Sequence, residues 1–203
     1  MKIICIGRNY VDHIRELNNQ VPSSPVFFLK PDTALLIRNR PFYYPAFSKN
    51  IHYEVELVLK VCKVGKNIQK RFAHTYYNEI GIGLDLTARD IQDEAKQKGL
   101  PWAIAKGFDH SAPLGQFLPK ENFPDVTNIN FHLDLNGDTV QRGSSSLMLY
   151  PFDDIISSIS KYMTLRTGDL IFTGTPAGVG AVKPGDKLEA YVEGNRLLSC
   201  LVK

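Results

Sequence analysis

The sequence has few cysteines, and their arrangement argues against disulfide-rich and zinc-finger folds. Cys5, Cys62 and Cys200 are the three cysteines in 203 residues, an odd number at wide spacing without a CxxC pair. A chain of this length buries enough apolar surface to fold without disulfides or a structural metal. We therefore expect three reduced thiols that mostly pack as small apolar side chains.

Long apolar runs are also missing. The segment VELVL at residues 55–59 is among the longest, and it is far shorter than the ~20 residues of a membrane-spanning helix. The N-terminal MKIICIGRNY becomes polar after six residues and has no apolar signal-peptide core. We expect a cytoplasmic protein with no membrane partner.

Charge of one sign is not in excess. The net charge of +3 and the pI of about 8.7 are mildly basic, well short of the footprint of a nucleic-acid-binding protein. The densest basic stretch, residues 60–71, is interleaved with valine and cysteine and is typical of a strand end followed by a solvated turn. A hydrophobic content of 43% and a charged content of 22% are ordinary for a globular domain. Nucleic acid is therefore not an expected partner.

The pattern of elements predicts one domain of the α+β class with a mixed sheet. No repeat, linker or low-complexity segment interrupts the chain, and strands and hairpins outnumber helices without alternating with them. The strongest predicted strand covers residues 51–64, and Asn136-Gly137 is typical of a type I′ hairpin turn. Thr87 is predicted to cap a helix over residues 88–98, with Asp90 completing a near capping box.

Three carboxylates occupy positions where apolar strands should not carry charge. Glu54 and Glu56 are two residues apart on a predicted strand and therefore point to the same face. Asp85 ends a second apolar strand, GIGLDL. Either this face is solvated, or the three oxygen donors hold a cation such as Mg²⁺, Mn²⁺ or Ca²⁺, since zinc would favour His or Cys. The spacing leaves both alternatives open.

Two predicted helices and two neighbouring segments carry further candidates. His13 and Glu16 are three residues apart, a pattern of a surface ion pair or of a histidine oriented as a general base. Arg89 and Gln92 have the same spacing and either face solvent or clamp a substrate carboxylate. Lys106 stands alone in an apolar stretch, where snorkelling is the simpler explanation. The TGTPAGVG loop lacks a phosphate-binding signature, and its Thr175 could donate a hydrogen bond.

Several segments together resemble the fumarylacetoacetate hydrolase family. In family order these are GRNYVDHIRE, FLKP, HYEVELVLKV, GLDLTARDIQDEAKQKGLPWAIAKGFD and DLIFTGTPAGVG, from residue 7 to residue 180. The resemblance is closest to the small single-domain branch of acylpyruvases and oxaloacetate decarboxylases or tautomerases. It implies a twisted mixed β-sheet roll with short flanking helices, a single catalytic domain over residues 1–203, a mobile lid over residues 10–25 and a homodimer.

The resemblance also implies roles for the candidate residues. It implies Mg²⁺ or Mn²⁺, with Ca²⁺ as a substitute in a crystal, on Glu54, Glu56 and Asp85. It implies a catalytic lid dyad of His13 and Glu16 with Lys106 as a further catalytic residue. The substrate-binding positions it implies are Arg89, Gln92, Lys106 and Thr175.

The implied activity is metal-dependent chemistry on small 2-oxo acids through a metal-bound pyruvate enolate. Hydrolysis of the C3–C4 bond of acylpyruvates, decarboxylation of oxaloacetate and keto–enol tautomerisation share this intermediate. One alternative is a 2-hydroxyhepta-2,4-diene-1,7-dioate isomerase, which would use the same site with other pocket walls. The alternative from another class is a non-catalytic protein that binds small acids.

Overall fold

The computed structural model describes residues 1–17 and 20–203. The strands are β1 Ile3–Gly7, β2 Val26–Lys30, β3 Leu35–Leu36, β4 Ile51–Tyr53, β5 Val55–Val61, β6 Tyr77–Leu84, β7 Thr87–Ala88, β8 Ala112–Pro119, β9 Asn130–Leu135, β10 Asp138–Ser144, β11 Leu170–Phe172, β12 Gly180–Ala181, β13 Lys187–Val192 and β14 Asn195–Leu201. The helices are α1 Val11–Glu16, α2 Lys70–Ala73, α3 Arg89–Lys98, α4 Ala103–Lys106 and α5 Phe152–Tyr162. Short 3₁₀ turns cover Asp32–Ala34, Lys120–Asn122 and Ser145–Leu147.

A mixed seven-stranded sheet forms the centre of the fold. Its strand order is β2-β1-β11-β5-β6-β8-β3, with β1 parallel to β11 and β5 antiparallel to both β11 and β6. A four-stranded sheet in the order β10-β9-β13-β14 and a three-stranded sheet in the order β12-β4-β7 complete the fold. The helices are few and short, so the predicted α+β class with a mixed sheet is confirmed.

The strand predicted over residues 51–64 is interrupted at Glu54. Ile51–Tyr53 pairs in the three-stranded sheet and Val55–Val61 lies in the centre of the large sheet. Both faces of β5 are covered, and Val55, Leu57 and Val58 are completely buried. The chain therefore changes sheets at Glu54, and this change lies beside the end of β6, where the Asp85 amide donates to the Glu54 carbonyl over 2.8 Å.

The predicted start of α3 is wrong. Thr87 is a strand residue that pairs with β4, and the helix begins at Arg89 with Ala88 as its N-cap. The Thr87 hydroxyl donates to the Asp85 carbonyl over 3.2 Å instead of capping the helix. Asp90 accepts hydrogen bonds from the Ser48 hydroxyl and the Lys49 amide, which tie the helix to the preceding loop. The predicted end at Gly99 is confirmed, since Gly99 has a left-handed backbone with φ +66°.

The predicted hairpin turn and the predicted free thiols are confirmed. The Asn136-Gly137 turn joins β9 to β10 with φ values of +55° and +95°, as a type I′ turn requires. All three cysteines are free thiols, with Cys5 and Cys200 buried and Cys62 partly exposed. Across residues 1–17 and 20–203, no helix combines the length and the apolar character needed to cross a membrane. Of the predicted lid over residues 10–25, residues 18 and 19 lie outside the described part of the chain.

Candidate active site

The three predicted carboxylates form one buried cluster. Glu54, Glu56 and Asp85 are at most 5% exposed, and each offers a carboxylate oxygen within 4.8 Å of the other two. The antiparallel register of β5 and β6 opposes Glu56 to Gly83 and Val55 to Leu84, which brings Asp85 beside Glu54 just past the end of β6. The alternative of a solvated strand face is therefore wrong.

Lys106 points into this cluster. Its ammonium group donates to Glu54 Oε2 and Asp85 Oδ2 over 2.8 Å each and to Thr87 Oγ1 over 2.6 Å. These three contacts use all three N–H groups of the side chain. Lys106 is 3% exposed, so the snorkelling expected from its apolar sequence context does not occur.

Arg89 and Gln92 are buried and do not face solvent. They lie one turn apart on α3, and Arg89 Nη1 donates to Gln92 Oε1 over 2.6 Å. Arg89 Nη2 forms an ion pair with Glu54 Oε1. The helix surface predicted as the simpler alternative is therefore wrong for both residues, and α3 directs them toward the carboxylates.

Lys30 is a functional candidate that the sequence reasoning missed. Its fully buried ammonium group lies 2.8 Å from Asp85 Oδ1. It also donates to the Ser111 hydroxyl over 3.0 Å and to the carbonyls of Leu86, Lys106 and Ser111. The signal was present, because Lys30 ends an apolar strand inside the FLKP segment, where a lone charge needs a partner.

Glu54 and Glu56 have opposite electrostatic surroundings. Burial raises the pKa of Glu54, but the charges of Lys106 and Arg89 outweigh burial and hold that pKa well below its usual range. Burial, followed by the charges of Asp85 and Glu54, raises the pKa of Glu56 well above its usual value. The Gly174 amide, which donates to Glu56 Oε2 over 2.7 Å, offsets part of this effect.

The unequal pairing of the three carboxylates with cationic side chains favours a bound cation at this cluster. Among the residues that the structure describes, Glu56 forms no ion pair, whereas Glu54 and Asp85 each have two cationic partners. The contact of Lys30 with Asp85 Oδ1 is an ion pair without hydrogen-bond geometry, which leaves this oxygen without a hydrogen bond. All three candidate ligands are carboxylates, the ligand type that Mg²⁺ and Mn²⁺ prefer over the nitrogen and sulfur ligands of zinc.

The short helix α1 brings His13 to the same site. His13 is 7% exposed, and its Nδ1 lies 3.1 Å from Glu16 Oε2. Since a carboxylate only accepts, Nδ1 carries the hydrogen and a neutral ring keeps Nε2 free as a base. Glu16 Oε1 accepts from the Gly178 amide over 3.0 Å, so α1 is docked on the TGTPAGVG segment at residues 173–180, the glycine-rich loop. The surface ion pair predicted as the simpler alternative is wrong for the buried His13.

Gln141 determines the direction of the hydrogen bond that it forms with the Thr175 hydroxyl. The sequence analysis did not identify this residue either. Its Oε1 accepts from the Val55 amide over 2.9 Å, and its Nε2 donates over 2.9 Å to both Thr175 Oγ1 and the Pro176 carbonyl. The Val55 amide can only donate and the Pro176 carbonyl can only accept, so the oxygen and nitrogen of the Gln141 side chain cannot exchange places. The Thr175 hydroxyl therefore accepts from Gln141, and its own hydrogen is available to the site.

These side chains surround one cavity of about 40 Å³, room for roughly three water molecules. Of the predicted site residues, all but Glu16 line it, and Glu16 contacts the lining residue His13. Arg8, Phe28, Lys96 and Trp102 complete much of the wall and were not predicted. The structure therefore brings the dispersed candidates together at one cavity and adds the cations Arg8 and Lys96 to its wall.

The chain is similar over nearly its whole length to known proteins. Residues 2–202 match the family described as fumarylacetoacetate (FAA) hydrolase C-terminal. The chain is 46% identical over 192 residues to the mitochondrial oxaloacetate tautomerase FAHD1 of Bos taurus, covering 95% of this chain and 87% of that protein. It is 41% identical over 194 residues to the mitochondrial oxaloacetate decarboxylase of Dictyostelium discoideum, covering 95% and 89%.

The fold is also shared with a solved structure. The fumarylpyruvate hydrolase from Pseudomonas aeruginosa in complex with Mn²⁺ and pyruvate superposes with a TM-score of 0.94 at 35% identity. This match covers 100% of the present chain and 89% of the other. Taken with the match over residues 2–202, these similarities show that the chain belongs to the fumarylacetoacetate hydrolase family of enzymes.

Proposed function

We propose that the protein is a metal-dependent enzyme that acts on small 2-oxo acids of the oxaloacetate and acylpyruvate type. The observation that carries this proposal is the buried carboxylate cluster of Glu54, Glu56 and Asp85 beside the His13–Glu16 pair. The activities for which the relatives are named support it, since oxaloacetate tautomerases, an oxaloacetate decarboxylase and a fumarylpyruvate hydrolase all convert 2-oxo acids.

The carboxylates of Glu54, Glu56 and Asp85 would hold Mg²⁺ or Mn²⁺. Such an ion, when bound, supplies a Lewis acid that polarises the C2 oxygen of a 2-oxo acid and favours its enolate. Lys106 and Lys30 hold the carboxylates of Glu54 and Asp85 in place through buried ion pairs, and Lys106 also adds positive charge to the cavity wall. The buried ion pairs therefore orient the ligands before a metal binds.

Three donors that line the cavity suit the C1 carboxylate of the substrate. Arg89 and Gln92 lie together on α3, and the Thr175 hydroxyl has a hydrogen to donate because it accepts from Gln141. A carboxylate accepts only, so a guanidinium, an amide and a hydroxyl donor are complementary to it. Arg89 would then share its hydrogen bonds between Glu54 and the substrate.

His13 is the proposed base. With Nδ1–H directed to Glu16, Nε2 can take a proton from C3 of the keto acid. Delivery of this proton to the C2 oxygen gives the enol form, and the reverse transfer restores the keto form. With an acylpyruvate, the same nitrogen would take a proton from water as the water oxygen attacks C4. The C3–C4 bond would then break, C4 would leave as a carboxylic acid, and C3 would keep the electron pair and take the proton back from His13. In decarboxylation the C3–C4 bond breaks without a water.

We further propose that residues 1–203 form one catalytic domain and that the segment from 10 to 25 acts as a lid. The docking of α1 on Gly178 supports the lid. We also propose a homodimer, which the family resemblance implies, and, separately, a cytoplasmic location. A non-catalytic acid-binding protein is less well supported, since binding alone gives no reason to orient a buried histidine with a carboxylate.

The test is a substrate panel on the chelated protein. Oxaloacetate in its enol form, acetylpyruvate and fumarylpyruvate are each assayed without metal, with Mg²⁺ and with Mn²⁺. We expect turnover of at least one substrate that requires the added ion. A complete absence of metal-dependent turnover across the panel would contradict the proposed function.

A further inference from the structure

Arg8 reaches the cavity from an unfavourable backbone conformation. It follows β1 with φ +60°, in the left-handed region that favours glycine or asparagine, and it lines the cavity. The neighbouring Asn9 is completely buried and fixes this turn, because its side-chain amide donates to the Thr173 and Tyr150 carbonyls and its Oδ1 accepts from the Tyr150 amide. An arginine kept in a strained conformation suggests a use for its side chain.

The Arg8 side chain has no charged partner of its own. It forms no ion pair within residues 1–17 and 20–203, and it is only partly exposed. Glu54 and Asp85 are already paired with Lys30, Lys106 and Arg89, and Glu56 is left to the proposed metal ion. Arg8 therefore adds positive charge to the cavity wall that the cluster does not balance.

Lys96 adds a second cation to the same wall. Arg89, Gln92 and Lys96 follow each other at i, i+3 and i+7 on α3 and all line the cavity. At 1.5 Å per residue, Lys96 lies roughly 6 Å further along the helix axis than Gln92. Its Nζ is 3.7 Å from Asp93 Oδ1 and 6.0 Å from the Trp102 ring, so it is only loosely held.

Arg8 and Lys96 are also close enough to influence each other. Burial, then the charge of Arg89 and to a smaller extent that of Arg8, lower the pKa of Lys96, and Asp93 opposes this effect. Two neighbouring cations at the wall of one cavity repel each other unless an anion lies between them. An anionic ligand group would relieve this repulsion.

We propose that Arg8 and Lys96 form a distal carboxylate subsite, which selects dianionic 2-oxo acids over monoanionic ones. This inference rests on the proposed function, in which Arg89, Gln92 and Thr175 receive the C1 carboxylate. A substrate with a second carboxylate at its other end, such as oxaloacetate, would meet Lys96 further along α3 and Arg8 at the end of β1. Acetylpyruvate carries a methyl group at that end and leaves both cations without an anion.

A binding experiment with inert ligands tests the subsite directly. Malate and lactate are 2-hydroxy acids that differ by the distal carboxylate, and their dissociation constants are measured by calorimetry at saturating Mn²⁺. We expect the wild-type protein to bind malate more tightly than lactate. Arg8→Gln and Lys96→Met are each expected to reduce this preference about tenfold or more, the loss typical of a hydrogen bond between charged groups.

Two matched controls test whether the preference for malate depends on cations in the cavity wall or on the total positive charge of the protein. Arg38 is an exposed arginine with φ +64°, and Lys98 lies on α3 in an exposed ion pair with Glu94. Neither residue lines the cavity. Arg38→Gln and Lys98→Met are expected to keep the wild-type preference for malate. A preference lost equally in the controls, or absent from the wild-type protein, would overturn the subsite.

Arg8→Gly distinguishes a binding role from a structural one. Glycine adopts φ +60° without strain, so this variant should melt no lower than the wild-type protein while its malate preference falls. A lower melting temperature, with malate and lactate affinities reduced by the same factor, would show that Arg8 only supports the fold.

Turnover separates this inference from the proposed function. Metal-dependent turnover by the wild-type protein, with the same malate preference in Arg8→Gln, would overturn the subsite and leave the proposed function intact. A malate preference that depends on Arg8, without turnover of any 2-oxo acid, would support the subsite and contradict the proposed function. For an active enzyme, we expect Arg8→Gln to raise the KM for oxaloacetate more than the KM for acetylpyruvate.

Discussion

Glu54 and Glu56 are equivalent in the sequence but not in the structure. Both alternate with apolar residues on one strand pattern, and that pattern alone predicts mutual repulsion. In the structure, Arg89 and Lys106 neutralise Glu54, whereas Glu56 receives only the Gly174 amide. The partners that divide the two roles lie on α3, α4 and a distant loop, so no local pattern could have distinguished them.

Glu56→Gln is therefore expected to stabilise the metal-free protein. Burial and the charges of Asp85 and Glu54 hold the pKa of Glu56 above its usual 4.5. A raised folded-state pKa means that the ionised form destabilises the fold, increasingly as pH rises from 4.5 through the folded-state pKa. The gain in the free energy of unfolding should thus be small at pH 4.5 and grow toward pH 8, as measured by urea unfolding after chelation.

The matched variant has the opposite expectation. Glu54→Gln leaves the buried Arg89 and Lys106 with one carboxylate fewer, a loss that typically costs about 3–5 kcal/mol. Equal stabilisation by both substitutions, or destabilisation by Glu56→Gln at pH 8, would contradict the electrostatic difference between the two glutamates.

Gln141→Glu is expected to reverse the polarity of the Thr175 hydroxyl. The new carboxylate would accept the Thr175 hydrogen, which the amide of Gln141 leaves available to the site. We expect kcat/KM for oxaloacetate to fall about tenfold or more, as for a lost hydrogen bond to a charged group. In a Thr175→Val background the same substitution should cost much less, and steady-state kinetics of the four proteins measure this difference.

A control for added charge is Gln116→Glu, since Gln116 is exposed on β8. This variant should retain wild-type kinetics. If Gln141→Glu cost the same with and without Thr175, Gln141 would support the fold rather than position the hydroxyl.

At the scale of elements, α1 connects the base to the glycine-rich loop. His13 and Glu16 share one side of this short helix, and Glu16 binds the Gly178 amide while it contacts His13. A Cβ on Gly178 would lie 2.3 Å from the Val140 carbonyl oxygen, so the loop can approach β10 this closely only with glycine. The position of His13 therefore depends on the contact of Glu16 with the Gly178 amide, 162 residues further along the chain.

His13→Ala is expected to separate hydrolysis from decarboxylation. Hydrolysis of acetylpyruvate needs a base for water and should fall by about 10²–10⁴, whereas decarboxylation of oxaloacetate needs no water and should retain a larger share. Mn²⁺ affinity should be unchanged, because His13 is not among the proposed ligands. Arg15→Ala on the same helix, whose side chain is exposed, is the control and should retain both reactions.

Unchanged hydrolysis in His13→Ala would contradict the assignment of His13 as the base. A parallel loss of Mn²⁺ affinity and activity would assign His13 to metal binding instead.

The elements that the sequence predicted poorly are those set by distant partners. The strand over residues 51–64 is alternating throughout, but pairing with two different sheets interrupts it at Glu54. Thr87 has the composition of an N-cap, but its pairing with β4 and its contact with Lys106 decide its structure. The turn at Asn136-Gly137 depends only on local backbone preferences and was predicted correctly.

At the scale of the whole molecule, the site depends on contacts between residues far apart in the chain. Gln141 and Thr175 are 34 residues apart, and Gly174 and Glu56 are 118 apart. The family resemblance implied roles for residues that are dispersed in the sequence, and in the structure all of these residues except Glu16 line one cavity. Gln141 was missed because its role depends on partners that the sequence does not identify. Lys30 did carry a signal, a lone charge at the end of an apolar strand, but the sequence does not identify Asp85 as its partner.

The most direct test combines Mn²⁺ binding with turnover of the enol form of oxaloacetate in the wild-type protein and in Glu56→Ala. Exhaustively chelated wild-type protein is titrated with Mn²⁺, and bound metal and rate are measured on the same samples. We predict that the rate rises in proportion to about one bound Mn²⁺ per chain and that Glu56→Ala loses both binding and rate, because a carboxylate ligand has been removed. Full turnover by the chelated protein, or wild-type turnover by Glu56→Ala, would contradict a metal centre at Glu54, Glu56 and Asp85.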